Sequence, residues 1–382
     1  MIPLSIPTLE GNEWKYVKEC LDTGWISSAG SYVNSFEEKV ASYVGSEFGI
    51  ACVNGTAGLH IAQVVGGVEA SDYVIVPNLT FVATVNSVKY TGAKPIFVDV
   101  TSDSWQMDLD LLETFLSQET ELRKVDGTWY SFLRSDGNRI STIIPVHVLG
   151  NIGDMNRLLG IAKNYHLNVI EDSAEALGSY YEKKHAGTFG AMGVFSFNGN
   201  KIISTGGGGV IVTDDFSLAK KLRHLTTTAK INSMDYIHDD IGYNYRLVNV
   251  LAAIGLAQLE QLPEILANKK NIDSFYRNKL GDIDDISFQV VAKNIEPNCW
   301  LFTLIAKRMR GLLEHLNENQ IQSRPFWMPM NQLDMFKDEV FITENNVASN
   351  LYDSCISIPS SSSIGTDELE IVCQAIKEFY SN

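Results

Sequence analysis

The chain has 382 residues, 45% apolar and 20% charged, and a formal net charge of −16. This length exceeds one ordinary core and predicts a large domain with a smaller one in a globular protein of average make-up. The acidic balance, with no run of Lys or Arg, excludes an extended nucleic-acid face, and no stretch approaches the roughly 18 to 20 uninterrupted apolar residues of a membrane span.

The N-terminal Met1-Ile2-Pro3-Leu4-Ser5 has no charged segment followed by an apolar run, so no secretory signal is expected and the protein is assigned to the cytoplasm. Residues 48–53 read as a strand ending at Asn54-Gly55, and residues 56–65 as a helix with Thr56 as its cap. Residues 73–76 form a strand stopped by Pro77, and 95–100 another. Residues 117–141 are polar, carry Asp126-Gly127 and Asp136-Gly137, and read as a surface excursion. Further almost continuously apolar runs lie at 143–148, 169–170, 194–197 and 209–213, with a helical pattern at 154–165. Runs of this kind suit strands buried on both faces, and their alternation with helices predicts an α/β fold with a doubly wound, mostly parallel sheet.

From 247 to 280 the pattern is helical and long, with Pro263 at a helix start or kink. Residues 281–382 mix short strands and helices, and Ser360 to Ser363 form a loop. The expected division is a large domain over 1–246, a connecting helical region over 247–280 and a small C-terminal domain over 281–382. The five cysteines, Cys20, Cys52, Cys299, Cys355 and Cys373, are odd in number and form no C-x-x-C pair. They predict packed free thiols in a reducing compartment, with no disulfide framework and no metal site.

Four segments carry chemistry. Asn198-Gly199-Asn200-Lys201 follows a buried strand and precedes four glycines, Gly206 to Gly209. A lysine in a desolvated pocket can act as a neutral amine and attack a carbonyl, although a surface lysine beside a glycine turn has the same local sequence. Asp172, in Glu171-Asp172-Ser173-Ala174-Glu175, closes another buried strand, where open α/β sheets bind ligands; it can equally cap the following helix. Val53-Asn54-Gly55-Thr56-Ala57 joins a strand to a helix N-terminus, which offers N–H groups and a positive dipole end to a phosphate; Ser196 can add a hydroxyl. Phe81, after Pro77-Asn78-Leu79-Thr80, can stack on a flat ring or pack in the core. A phosphate turn, a stacking aromatic, a carboxylate and a lysine at the strand ends of one sheet are the parts pyridoxal 5'-phosphate (PLP) requires.

These segments resemble the DegT/DnrJ/StrS family of sugar aminotransferases, PLP transferases of fold type I (aspartate-aminotransferase-like). The resemblance also runs through Trp25-Ile26-Ser27-Ser28-Ala29-Gly30, Phe36-Glu37-Glu38, Pro145-Val146-His147-Val148-Leu149-Gly150 and Gly242-Tyr243-Asn244-Tyr245-Arg246. It implies that Lys201 forms the Schiff base and Asp172 pairs with the pyridine nitrogen. Phe81 would stack on the ring, Gly55, Thr56, Ala57 and Ser196 would hold the phosphate, and Glu175 would stand near the cofactor's hydroxyl. Asn244 would reach the phosphate of a neighbouring subunit, which makes the expected assembly a homodimer with shared sites; a plain turn residue is the other reading of that position. L-glutamate would donate the amino group and a nucleotide sugar would receive it.

One relative with histidine at the lysine position dehydrates a deoxysugar, whereas this chain has Lys201. A sugar dehydratase and a catalytically silent regulatory protein on the PLP fold are the alternatives. The uninterrupted glycine run, the 117–141 excursion, Asn198-Gly199-Asn200 and Leu225-Thr226-Thr227-Thr228-Ala229-Lys230 resemble the subgroup making legionaminic acid and bacillosamine precursors. That subgroup uses a UDP-linked 4-keto-6-deoxy-N-acetylhexosamine for surface glycans. Lys183, Lys184, Lys230, Arg246 and Arg324 are candidate cations for the diphosphate. Phe326 and Trp327, after Arg324-Pro325, are candidates to pack on the sugar or base.

Overall fold

The computed structural model describes residues 1–232 and 234–381. Two helices, α1 (Glu13–Thr23) and α2 (Ser31–Val44), lead into the sheet, each closed by a glycine in the left-handed region, Gly24 and Gly45. Strands and helices then alternate as β1 (Phe48–Cys52), α3 (Gly55–Val65), β2 (Tyr73–Pro77), α4 (Val82–Tyr90), β3 (Lys94–Val98) and α5 (Leu109–Glu119). A hairpin of β4 (Thr120–Val125) and β5 (Thr128–Leu133) is followed by β6 (Arg139–Ile143), α6 (Met155–Asn164) and β7 (Asn168–Asp172). A second hairpin, β8 (Tyr180–Tyr181) and β9 (Lys184–His185), precedes β10 (Met192–Ser196), β11 (Gly209–Thr213) and α7 (Phe216–Thr226). The 32-residue α8 (Asn249–Leu280) carries Pro263 within it. Beyond it lie β12 (Ile286–Phe288), β13 (Ile295–Glu296), β14 (Phe302–Ala306), α9 (Met309–Glu318), β15 (Arg324–Pro325), β16 (Val340–Ile342), α10 (Val347–Ser354), β17 (Cys355–Ile358) and α11 (Thr366–Ser381).

Among the described residues one sheet has ten strands, ordered β1-β11-β10-β7-β6-β2-β3-β16, with the β4–β5 hairpin attached to β6. Pairing is parallel from β10 through β16, and β11 runs antiparallel to both β1 and β10. β2 and β11 are buried at every position, as strands covered by helices on both faces must be. A smaller antiparallel sheet, β12-β14-β17-β15, packs with α9 and α11 around its own core of Leu304, Leu312, Ile356 and Val372. α8 is long and apolar enough to cross a membrane by composition alone, yet it packs on α1, α2 and α11 and buries Asn249, Gln258 and Lys269.

The structure corrects several boundaries. Asn54, not Thr56, caps α3, its side chain accepting the Ala57 N–H at 2.7 Å. Pro77 lies inside β2. The 143–148 run is only partly a strand: β6 ends at Ile143, Val146 still bridges Asp172 in parallel, and the chain then turns through residues 148–150 with Leu149 at φ 59°. The 117–141 excursion is an ordered hairpin that pairs with the start of β6. The chain also crosses the division expected at 281, because β16 joins the large sheet beside β3 while Ile2 pairs with Ile321.

Candidate active site

Chain connections, more than any one element, build the site. β7 ends on Asp172 and β10 on Ser196, β2 runs through Asn78–Phe81 into α4, and β1 runs through Asn54 into α3. These ends open on a cavity of about 700 Å³ lined also by Lys201, Trp300 and Arg324. Its place at the carboxyl ends of an open sheet is where α/β folds bind ligands.

The anion corner lies at the start of α3. Asn54 takes the Ala57 N–H, so Ala57, expected to hold phosphate, has its donor engaged by the cap. The N–H groups of Gly55 and Thr56 remain at the open, positive end of the helix. Ser196 stands against them: a Cβ on Gly55 would lie 3.0 Å from the Ser196 Cβ, so a larger residue here would have to push Ser196 aside. This corner offers two backbone N–H groups and a hydroxyl to a phosphate.

Asp172 is 5% exposed. Thr84 Oγ1 donates to its Oδ2 at 2.7 Å, and the Ala174 N–H donates to its Oδ1 at 3.1 Å. Burial pushes this carboxyl above its ordinary value, against the pull of those donors and of Lys201. A buried carboxylate in this state is stabilised by a cationic N–H donor, which a protonated pyridine ring provides. Thr84 escaped the sequence reading; its trace was Thr80 four residues before it, and the two hydroxyls lie 2.8 Å apart.

Lys201 Nζ lies 3.5 Å from Glu175 Oε1. Glu175 also accepts the Leu149 N–H at 2.8 Å. Burial lifts the Glu175 carboxyl from 4.5 to about 7, although Lys201 opposes the rise. Opposite this cluster stand aromatic rings. Phe326 stacks on Trp327 with centroids 4.7 Å apart, and Trp327 meets Phe81 edge-on at 6.3 Å. Phe81 is 53% exposed, at the cavity rim rather than in the core. Arg324 is exposed and lines the same cavity.

Besides Ala57, five expected residues do not line this cavity within one chain. Arg246 is held by Glu37 at the far side of β1, where Glu37 also accepts the Ala51 N–H at 2.7 Å and pairs with Arg223 at 2.9 Å. It is a structural ion pair rather than a free cation for diphosphate. Lys183 and Lys184 are exposed on the β8–β9 hairpin, and Lys230 lies over the Tyr236 ring at 4.4 Å. Asn244 is exposed beside the stacked Tyr243 and Tyr245. Among the described residues no group of His, Cys, Asp or Glu could hold a metal ion, and all five cysteines are free.

The phosphate corner, buried carboxylate, amine and rim aromatic fit PLP, and with this fold they define a fold type I PLP enzyme. Comparison with known proteins gives the family. Residues 7–377 match the model of the DegT/DnrJ/EryC1/StrS aminotransferase family, and the chain belongs to that family. It is 36% identical to the GDP-perosamine synthase of Escherichia coli O157:H7, covering 100% of this chain and 99% of that one. It is 38% identical to the GDP-perosamine synthase of Caulobacter vibrioides, over 86% and 85% of the two chains. A DegT DnrJ EryC1 StrS aminotransferase from Brucella abortus superposes with a TM-score of 0.89 at 26% identity, over 97% and 96% of the chains. The protein is a PLP-dependent sugar aminotransferase.

Proposed function

We propose that this enzyme moves an amino group from L-glutamate to the 4-keto carbon of a nucleotide-linked 4-keto-6-deoxy sugar, for a surface glycan. We place it in the cytoplasm as a homodimer with shared sites. The convergence of Lys201, Asp172 and the α3 N-terminus on one cavity carries this reading. When bound, PLP supplies a carbonyl that takes up the amino group and a ring that delocalises the electron pair left at the neighbouring carbon.

The residues divide that work. Lys201 would hold the cofactor through its amine, and that amine would serve as the base that takes the substrate's proton and the acid that returns it. Asp172, whose carboxylate Thr84 orients, would accept the ring N–H and favour its protonated form. Gly55, Thr56 and Ser196 would hold the phosphate, Phe81 would cover a ring face, and Glu175, 3.5 Å from Lys201, would stand near the cofactor's hydroxyl. Among the described residues, Arg324 and Lys201 are the cations lining the cavity, which suits Arg324 to the diphosphate. Phe326 and Trp327 give an apolar wall for the sugar or base. The exposure of Asn244 supports a role at the neighbouring subunit's phosphate.

The resemblance in segments 198–200 and 225–230 favours a UDP-linked N-acetylhexosamine. A second reading, a GDP-linked sugar, is favoured by relatives named GDP-perosamine synthase at 36% and 38% identity. Incubation with PLP, L-glutamate and either 4-keto-6-deoxy sugar nucleotide, followed by mass spectrometry, separates them by which one becomes an amino sugar. Lys201→Ala is expected to keep the fold and abolish the product. Product formation by that variant would overturn the role of Lys201.

A further inference from the structure

Trp300 belongs to none of the motifs above. It lies between β13 and β14 in the C-terminal region, is 2% exposed, and lines the cavity. The Lys201 Nζ sits 3.9 Å from the centre of its ring, with the Glu175 carboxylate 3.5 Å from the same nitrogen. The indole Nε1–H donates to the Asn200 carbonyl at 2.6 Å. One side chain therefore holds the lysine loop by its backbone and meets the amine with its ring face.

The surroundings fix this arrangement. Asn298 Oδ1 accepts the Trp300 N–H at 3.0 Å, while its Nδ2 donates to the Glu175 and Leu177 carbonyls at 2.7 and 2.9 Å. The two partners of the Lys201 amine, Glu175 and Trp300, are thus tied together through one buried amide. Lys269, itself 3% exposed, donates to the Trp300 carbonyl at 2.8 Å and also to the Ser360 carbonyl. The Lys201 side chain is 13% exposed, and a cation over an indole face is attracted to the ring quadrupole more strongly as water is excluded.

We propose that Trp300 is a positioning residue for Lys201: its indole face holds the amine, opposite Glu175, whenever that amine is not bonded to the cofactor. The inference rests on Lys201 being the reacting lysine. Holding the freed amine in register shortens its search for the proton it must move.

The test compares Trp300→Phe and Trp300→Leu with the wild type in the full chain. Phe keeps a π face but loses the Nε1 donor; Leu loses both. The first readout uses the PLP-free protein and a small amine-acylating reagent, with Lys201 labelling followed by peptide mass spectrometry. Lys183 and Lys184, exposed on their hairpin, serve as internal controls. Lys201 is expected to label roughly tenfold faster in Trp300→Leu, with Trp300→Phe between Leu and wild type and the controls unchanged. The second readout is turnover: kcat is expected to fall about tenfold in the Leu variant while KM for L-glutamate changes less than about threefold. Equal effects of Phe and Leu would show that the ring face is not what acts, and wild-type labelling and kcat in Trp300→Leu would equally overturn the proposal. Lys201→Ala is run alongside: if it keeps turnover, the functional reading has failed, whereas a dead Lys201→Ala beside a wild-type-like Trp300→Leu removes the Trp300 inference alone.

Discussion

Replacing Glu175 by Gln separates the cost of its charge to the fold from its use in the site. The residue is 5% exposed, and burial lifts its carboxyl from 4.5 to about 7 despite the nearby Lys201. A carboxyl raised in the fold holds its proton more tightly there than in the unfolded chain. Its contribution to stability is therefore fully present below about pH 4.5 and is lost as pH rises toward about 7. At about 1.4 kcal/mol per unit, complete ionisation withdraws about 3 kcal/mol, of which about 2 kcal/mol is lost between roughly pH 5.5 and 7.5. Gln has nearly the same volume and can still accept the Leu149 N–H, but it does not titrate. Urea unfolding of the PLP-free protein across that interval should show the wild type losing about 2 kcal/mol more stability than Glu175→Gln. In the loaded enzyme the same change should lower kcat, because the carboxylate 3.5 Å from Lys201 is gone. Parallel stability curves for the two proteins would refute the reasoning, since Glu175 would then take up no proton on folding.

Other perturbations test single contacts. Thr84→Val removes the hydroxyl donor to Asp172 and should weaken PLP binding by about tenfold or more, measured by titrating the PLP-free protein with cofactor. Asn54→Ala removes the cap of α3 and should cost about 1 kcal/mol of stability in a denaturant melt. Arg246→Met leaves the buried Glu37 with a partner lost and should cost about 3 kcal/mol by the same melt, with KM for the sugar nucleotide little changed. Lys269, lowered by burial to about 7, sheds its proton on folding, so wild-type stability should rise from about pH 7 to pH 9; Lys269→Met should lack that rise.

The strands legible in the sequence were those buried on both faces, such as residues 209–213, where an apolar run and a strand coincide. The 143–148 run misled because burial and pairing part company there. Ile144, Val146 and Val148 are all buried, yet after Ile143 regular pairing thins to the single bridge of Val146 to Asp172 before the turn at 148–150. The 117–141 segment hid its strands for the opposite reason: most of β4 is exposed, so no alternation of apolar and polar residues marks it. β16 is three residues long and finds β3 across some 240 positions of chain, a pairing that no local pattern announces. Arg246 read as a free cation because its partner Glu37 lies 209 residues away.

The same distinction divides the site. Each proposed cofactor contact belongs to a short segment at a strand end: Gly55 and Thr56 after β1, Phe81 after β2, Asp172 at the end of β7, and Ser196 at the end of β10 with Lys201 close behind. Local sequence specifies such turns, so their chemistry can be read in order along the chain. The wall facing them is assembled from distant pieces, namely Leu4, Trp300, Arg324, Phe326 and Trp327, brought in by the N-terminal segment and the small sheet. Their positions depend on long-range ties such as Leu4 N–H to Gln322 and Lys269 to the Trp300 carbonyl. The proposed cofactor contacts are thus carried by the large sheet, and the wall proposed for the sugar nucleotide is carried on separate elements.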